Sequence, residues 1–177
     1  MIELSAVVQE HPDAVFVRRT SVKSYTARKP FRQAGYEMAR DFLVDGGGRP
    51  ETRTFVLKPN VVVSRNRKDG RLTKDDRGIV TDIEFLAGIV QRLQEVGAPR
   101  IVVAEGGGPM DMAPTYKDRG YTRVAAELGF ELADLNRPPD TYTPEELNWT
   151  PVDGVVFREI PFVRPVNDPD VVFINVP

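Results

Sequence analysis

The apolar positions between residues 55 and 105 predict a strand, a helix and a second strand. An apolar run at 55–57 ends before Pro59, which cannot donate to a strand ladder. Apolar residues then recur at helical spacing, at Leu86, Ile89, Val90 and Leu93. A second apolar run without alternation follows at 101–104. Such runs are typical of parallel strands buried on both faces, and a parallel pair requires a crossover connection, so the pattern predicts an α/β fold.

The predicted helix carries signals at its start, its middle and its end. Thr81 is predicted to be the N-cap, because Glu84 stands three residues later and completes a capping box. Gly88 is expected inside the helix as a site of close packing on the sheet. Gly97 can adopt the left-handed conformation that closes a helix.

Apolar patterns elsewhere predict the rest of the same domain. Strands are predicted at 14–19, 130–135, 155–160 and 170–176, helices at 31–44 and 121–128, and a helical turn at 143–146. Together with the two central strands they predict a mostly parallel central sheet of about five or six strands flanked by helices. We expect one α/β domain spanning residues 1–177.

Composition narrows the class of protein. The chain has 177 residues and a net charge of −2, without the basic excess that nucleic-acid-binding proteins show. No apolar run approaches the ~20 residues of a membrane span, and no signal-peptide pattern opens the chain. We therefore expect a cytoplasmic protein that binds neither nucleic acid nor membrane. Cysteine is absent, which excludes a cysteine-ligated zinc or iron–sulfur site within these residues, and the one histidine, His11, is predicted to be a surface turn residue.

Polar residues follow the two central strands, at the edge where open α/β sheets bind ligands. Lys58 and Asn60 follow the first strand and suit an anion, whereas Glu105 ends the second strand, where a carboxylate could bind metal or move a proton. Three glycines come next, Gly106, Gly107 and Gly108. Glycines there let a ligand approach backbone amides closely. The alternative interpretation is an exposed lysine, a turn asparagine and a tight turn with an exposed glutamate.

The start of the helix is predicted to face the same edge. In a parallel strand–helix–strand unit the helix begins at the carboxyl edge, so the amides at Thr81 and Asp82 would face Lys58 and make the edge locally positive. The predicted cleft has Glu105, Asp82 and Lys58 as candidate catalytic groups. The charged segment 64–78 is either a lid over this cleft or a solvated loop.

Five short stretches, taken in order, resemble the family called domain of unknown function 362. They are Leu57-Lys58-Pro59-Asn60, Val80-Thr81-Asp82-Ile83-Glu84, Val96-Gly97-Ala98, Val103-Ala104-Glu105-Gly106 and Asp170-Val171-Val172-Phe173-Ile174-Asn175-Val176-Pro177. The resemblance extends from about residue 12 onward. It implies a soluble α/β protein, and many members carry a ferredoxin-like iron–sulfur segment downstream. It implies no particular reaction.

Two departures from the family pattern concern the extent of the chain. The family's last strand is followed by a Lys-Leu-Lys-Thr-His-like segment, whereas this sequence ends at Pro177. The cysteines of the iron–sulfur segment are also absent. Since a final strand would leave its edge uncovered, we expect the sequence to be the N-terminal part of a longer protein.

Two functional hypotheses follow from these residues. The first is an enzyme or ligand-binding domain for a small anionic molecule, with or without a divalent metal. The second is a non-catalytic domain that docks a redox partner or a downstream iron–sulfur module. The substrate, the metal and the oligomeric state stay open.

Overall fold

The computed structural model describes residues 1–11, 13–17, 19, 28–47, 51–61, 80–106, 111–137 and 139–177. The chain begins with β1 (Ile2–Leu4), α1 (Ala6–Glu10), α2 (Arg28–Phe42) and β2 (Leu43–Asp45). The central elements are β3 (Thr54–Pro59), α3 (Ile83–Glu95), β4 (Arg100–Glu105), α4 (Met112–Asp118), α5 (Tyr121–Leu128) and β5 (Glu131–Asp134). Two 3-10 turns (Pro139–Thr141 and Pro144–Glu146) precede β6 (Leu147–Pro151), β7 (Glu159–Val163) and β8 (Val171–Val176).

A parallel sheet with the strand order β5-β4-β3-β8 lies at the centre. Phe55 of β3 lies opposite Ile101 of β4 on one side and Val172 of β8 on the other, and Val103 of β4 lies opposite Leu132 of β5. The predicted α/β fold with a parallel sheet and flanking helices is confirmed. The predicted size of the sheet was wrong, because the described part of the chain contributes four strands to it rather than five or six.

Two predicted strands account for the difference. Residues 14–17 lie outside any helix or strand, and the Phe16 ring instead packs on Phe42 with a centroid distance of 4.9 Å. The strand predicted at 155–160 is replaced by β7, which pairs antiparallel with β6 in a separate two-stranded ribbon. Val155 and Val156 lie in the connection of this ribbon and are exposed. Apolar content predicted strands in both segments, but neither segment pairs with the central sheet.

The main core lies on the face of the sheet that α3 covers. Phe55 and Leu57 of β3, Val103 of β4 and Leu86 and Leu93 of α3 are all almost fully buried in it. The alternate positions of the same strands face the other way, where a smaller cluster is formed by Val56, Val102 and Ala104. The central strands are therefore buried on both faces, as their continuous apolar runs predicted.

Helices α2 and α3 approach each other at glycines. A Cβ atom at Gly88 would overlap the backbone carbonyl oxygen of Arg32, and one at Gly35 would overlap that of Phe85. Gly88 thus permits close packing, but against α2 and not against the sheet as its sequence context suggested.

A buried carboxylate fastens three helices beside this contact. Glu84 of α3 accepts hydrogen bonds from Arg32 Nε of α2 at 2.8 Å and from an Arg123 guanidinium nitrogen of α5 at 2.7 Å. The Glu84 side chain is only 7% exposed, whereas Glu127, which pairs with the same two arginines, is 40% exposed. The inner carboxylate is therefore the one shielded from water.

A second buried carboxylate holds the first strand. Glu51 accepts hydrogen bonds from the backbone N–H of Ile2 at 2.6 Å and from Arg53 Nε at 2.8 Å, and an Arg53 guanidinium nitrogen donates to the Ile2 carbonyl at 2.6 Å. The Glu51 side chain is 3% exposed. The Arg53 guanidinium lowers the pKa of Glu51 to about 2.

We expect Glu51→Gln to lower the free energy of unfolding by about 2 kcal/mol at neutral pH. The hydrogen bonds from Ile2 and Arg53 would then reach a neutral amide oxygen, which is a weaker acceptor than the charged carboxylate. The folded pKa lies below the ordinary value of 4.5. The stabilisation is therefore fully present above pH ~5 and is lost as the pH falls toward about 2. Urea titrations across this range should show the two proteins converging at low pH. The exposed control Glu10→Gln should follow the wild type throughout, and a constant difference at every pH would contradict the assignment.

Within the described ranges, the helices lack the combination of length and apolar character that a membrane-spanning helix needs.

Candidate functional site

Strands β3 and β4 end at the same edge of the sheet, and their last polar side chains meet there. Lys58 Nζ lies 3.0 Å from Glu105 Oε2 and 3.0 Å from the Pro59 carbonyl oxygen. The Lys58 side chain is 37% exposed, whereas that of Glu105 is 8% exposed. The parallel register brings these two residues together across a sequence separation of 47 residues.

The Glu105 carboxylate is engaged on both oxygens. Its Oε2 also accepts a hydrogen bond from the Val61 amide at 3.1 Å, and its Oε1 accepts one from the Gly106 amide at 2.9 Å. Val61 follows β3 and Gly106 follows β4, so the carboxylate joins the two chain segments that leave this edge. Among the described contacts, Oε2 accepts two hydrogen bonds and Oε1 accepts one, so Oε1 is the oxygen that would act as a base or a metal ligand.

Tyr116 of α4 supports the backbone at Glu105. Its hydroxyl accepts a hydrogen bond from the Glu105 amide at 3.0 Å and donates one to the Ala133 carbonyl of β5 at 2.7 Å. Burial raises the pKa of Tyr116 well above its ordinary value, so the hydroxyl stays a donor at neutral pH. No sequence pattern indicated this residue, since α4 is short, contains Pro114 and shows no long apolar stripe.

Thr81 joins the ends of two strands. Its hydroxyl accepts a hydrogen bond from the Asn60 amide at 2.8 Å and donates one to the Val176 carbonyl at 2.9 Å. The Thr81 amide donates to the Asn60 carbonyl at 2.9 Å. The prediction that Thr81 caps the helix was wrong, because its hydroxyl is used between β3 and β8 instead.

Asp82 is the residue that caps α3. Its carboxylate accepts hydrogen bonds from the amides of Glu84 at 2.8 Å and Phe85 at 3.3 Å. Burial raises the pKa of Asp82 above its ordinary value. The capping box was wrong as well, since the Glu84 side chain turns to Arg32 and Arg123. The first-turn amides of Glu84 and Phe85 are therefore bound to the Asp82 carboxylate of the same chain.

We expect Thr81→Ala to lower the free energy of unfolding by about 2 kcal/mol, because it removes the hydroxyl that accepts from the Asn60 amide and donates to the buried Val176 carbonyl. This exceeds the ~1 kcal/mol that loss of a helix cap would cost. Urea titration measures the difference. Thr81→Ser keeps the hydroxyl and should retain most of the stability, so an equal loss in both variants would contradict the bridging role.

Of the other residues predicted for the site, the structure describes Asn60 and Gly106. The Asn60 backbone lies beside Thr81, and Gly106 packs against Asn136, whose Cβ would lie 2.8 Å from a Cβ added at the glycine. Gly107, Gly108 and the segment 64–78 lie outside the described residues.

A further carboxylate, Asp134, lies at the same edge, opposite Glu105 in the register between β4 and β5. It accepts hydrogen bonds from the Met112 amide at 3.0 Å and the Asn136 amide at 2.9 Å. In the described part of the chain, no group of three or more His, Asp and Glu side chains is placed to hold a metal ion. Asp134 was not among the predicted site residues, although its position at the end of a predicted strand was a usable signal.

An apolar groove of about 1060 Å³ runs beside the edge strand β8. Its walls include Leu4 of β1, Met38 and Phe42 of α2, Ile89 of α3 and Ile174 of β8. These residues come from segments far apart in the chain, so no local sequence signal indicated the groove.

The comparisons with known proteins concern the same part of the chain. The family model described as Domain of unknown function (DUF362) matches residues 56–177, which is more than half of the chain and includes every candidate site residue. The match begins later than the residue near 12 that the sequence resemblance suggested. No curated protein and no solved structure matches the chain significantly. The chain belongs to the DUF362 family.

Proposed function

We propose that the chain binds a small anionic ligand at the carboxyl edge of its parallel sheet, with Lys58 as the group that contacts the ligand. The observation that carries this proposal is the Lys58 ammonium, which Glu105 holds in place while more than a third of the side chain is exposed. The position agrees with the general location of ligand sites in open α/β sheets.

The restraint on Lys58 favours a binding role over that of a solvated surface lysine. A free lysine side chain loses about 2 kcal/mol of rotamer freedom when a ligand orders it. Here the contacts to Glu105 and to the Pro59 carbonyl have already ordered it. A ligand that meets a preordered donor binds more tightly, because less entropy is lost on association.

Conversion of the ligand would involve two carboxylates, Glu105 beside Lys58 and Asp82 at the start of α3. Glu105 or Asp82 would act as base or as ligand to a divalent metal, and Lys58 would stabilise developing negative charge. Both carboxylates already accept backbone amides in the described structure, so proton transfer or metal binding would use their remaining lone pairs. Binding by Lys58 therefore stands as the primary proposal, and catalysis is a step beyond it.

We screen a panel of small anions for those that raise the melting temperature of the wild type, because a ligand that binds only the folded state stabilises it. We expect Lys58→Met to abolish this rise. Differential scanning fluorimetry measures the shift, and circular dichroism checks the fold of the variant. Lys29→Met is the matched control, since Lys29 is an exposed lysine of α2. A variant without Lys58 that still responds like the wild type would remove the basis for the proposal.

Exposed apolar residues in the connection between β6 and β7 favour the second candidate function. This function is that of a non-catalytic domain that docks a redox partner or an iron–sulfur module. Val155, Val156 and Phe157 are 99%, 81% and 66% exposed, and such a cluster is typical of interaction surfaces. A pull-down with a reduced ferredoxin-type protein, compared between the wild type and Val156→Ser/Phe157→Ser, tests this candidate. Binding lost in the double variant, together with no response to the anion panel, would favour docking.

A further inference from the structure

We infer that β8 is an interaction surface through which two copies of the chain pair, with their β8 strands antiparallel about a twofold axis at Phe173. In the described part of the chain, β8 is an outer strand of the central sheet, and β3 is its neighbour on one side only. The other side of β8 presents backbone hydrogen-bonding groups. The pairing is independent of the ligand proposed for Lys58.

The residues of β8 alternate in the direction of their backbone groups. The Thr54 amide of β3 donates to the Asp170 carbonyl at 2.9 Å, and Thr54 lies opposite Val171 in the register. In a parallel ladder a residue bonds to the two residues that flank its register partner, so the even-numbered residues of β8 face β3. The backbone groups of Val171, Phe173 and Asn175 therefore point away from the sheet. Within the described ranges, these N–H and C=O groups have no hydrogen-bond partner.

Strand β8 lacks the features that normally keep an exposed strand edge from pairing. Such edges usually carry charged side chains or proline. The six residues Val171–Val176 include neither. By contrast, β5 at the other edge of the sheet begins with Glu131 and ends with Asp134, and the separate β6–β7 ribbon contains Pro151 and Pro161. An open, uncharged edge of this kind is a template for pairing with another chain.

The outward groups of β8 are complementary to those of a second copy of the same strand. With the twofold axis at Phe173, this residue lies opposite itself, and Val171 of each copy lies opposite Asn175 of the other. Residues opposite each other in hydrogen-bonded antiparallel pairs exchange two hydrogen bonds, so every outward N–H and C=O group of the three residues gains a partner. Because neither strand is charged, the pairing places no like charges opposite each other. The twofold axis also closes the assembly at two copies.

The Phe173 side chain supports the same arrangement. It lies on the face of the sheet opposite to Val172 and Ile174, which pack on the main core, and it is 44% exposed. Across the twofold axis its ring would contact the same ring of the second copy, and cross-strand aromatic pairs stabilise sheets. An interface of one strand pair is small, so we expect a reversible dimer with a dissociation constant in the micromolar range.

Sedimentation equilibrium of the full chain measures the association, and amide hydrogen exchange followed by NMR locates it. We expect a monomer–dimer equilibrium between micromolar and millimolar protein concentrations. As the dimer forms, exchange of the Val171, Phe173 and Asn175 amides should slow by about tenfold, because each amide gains a hydrogen bond. The amides of Val172 and Ile174 should be protected at every concentration, since they donate to β3.

Phe173→Lys tests the position of the axis, because it places two ammonium groups opposite each other in the dimer. We expect association to weaken by about a hundredfold, since like charges placed together across an interface oppose binding. Val156→Lys is the matched control, because it puts the same charge on another exposed apolar residue and should leave the equilibrium unchanged. Circular dichroism checks the fold of both variants.

Phe173→Cys provides a second test that adds no charge. The chain has no cysteine, so a disulfide in this variant can only join two copies at this position. Opposite residues in a hydrogen-bonded antiparallel pair have Cα atoms about 5.5 Å apart, which is within the range that a disulfide spans. We expect mild oxidation to join the copies of Phe173→Cys much faster than those of the control Val156→Cys.

Three results would overturn the inference. One is a chain that stays monomeric up to millimolar concentration. Another is a dimer in which the amides of Val171, Phe173 and Asn175 exchange as fast as in the monomer, because the copies would then meet elsewhere. The third is slow exchange of these amides in the monomer, since a segment of the same chain would then cover the edge. Anion binding at Lys58 is unaffected by any of them.

Discussion

Gly88→Ala is expected to destabilise the protein by about 3 kcal/mol, although the same change on an exposed helix surface would stabilise it by about 1 kcal/mol. Helix propensity favours alanine, because glycine loses more backbone freedom on folding. The added methyl group would, however, overlap the Arg32 carbonyl oxygen of α2. A backbone atom cannot rotate away as a side chain can, so α2 and α3 would have to separate along a closely packed contact.

Urea titration measures this effect, with Thr122→Ala at an exposed position of α5 as the control. The control raises helix propensity at a solvent-exposed site, and it should stay within about 0.5 kcal/mol of the wild type. Gly35→Ala should reproduce the loss, since its methyl group would overlap the Phe85 carbonyl in the same interface. A Gly88→Ala protein as stable as the wild type would show that the helices can move apart at little cost.

Glu84→Gln is expected to lower the free energy of unfolding by about 3 kcal/mol, because two guanidinium groups lose a buried charged acceptor and keep only the exposed Glu127 as a counter-charge. Glu84 receives hydrogen bonds from Arg32 and Arg123, and these contacts join α3 to α2 and α5. The glutamine amide keeps the shape of the side chain but has one acceptor oxygen where the carboxylate has two. One guanidinium therefore loses its inner partner.

Glu127→Gln provides a matched comparison, because Glu127 pairs with the same two arginines at the solvent-exposed side. An exposed pair contributes about 0–1 kcal/mol, so this variant should be nearly neutral in the same urea titrations. Equal losses in the two variants would mean that burial of Glu84 does not decide the energy of the network.

Much of the central architecture was predictable, because apolar periodicity is a local property of the chain. The stripe on α3 and the unbroken apolar runs of β3 and β4 indicated a parallel strand–helix–strand unit, and the register confirms it. The short strands β1 and β2 and the helix α4 were missed, since three to seven residues carry too little periodicity to be recognised. The prediction that residues 155–160 form a strand of the central sheet was wrong, because apolar content alone does not show whether a strand has a partner.

The candidate site was predictable in position but not in its contacts. The ends of parallel strands meet at one edge, so Lys58 and Glu105 could be placed together from the order of elements alone. That Glu105 accepts two backbone amides as well as Lys58 depends on how the segments leaving the sheet turn, and no spacing in the sequence encodes that.

The sequence by itself determined the α/β class, the crossover helix α3 and the edge at which the polar residues gather. Only the tertiary structure decided what each polar group does there. Thr81 and Asp82 are adjacent residues that both suit a helix cap, and the Val176 carbonyl, 95 residues away from Thr81, settles the choice. The physical reason is that periodic burial acts between neighbours along the chain, whereas a hydrogen bond depends on which distant segments the folded chain brings within about 3 Å.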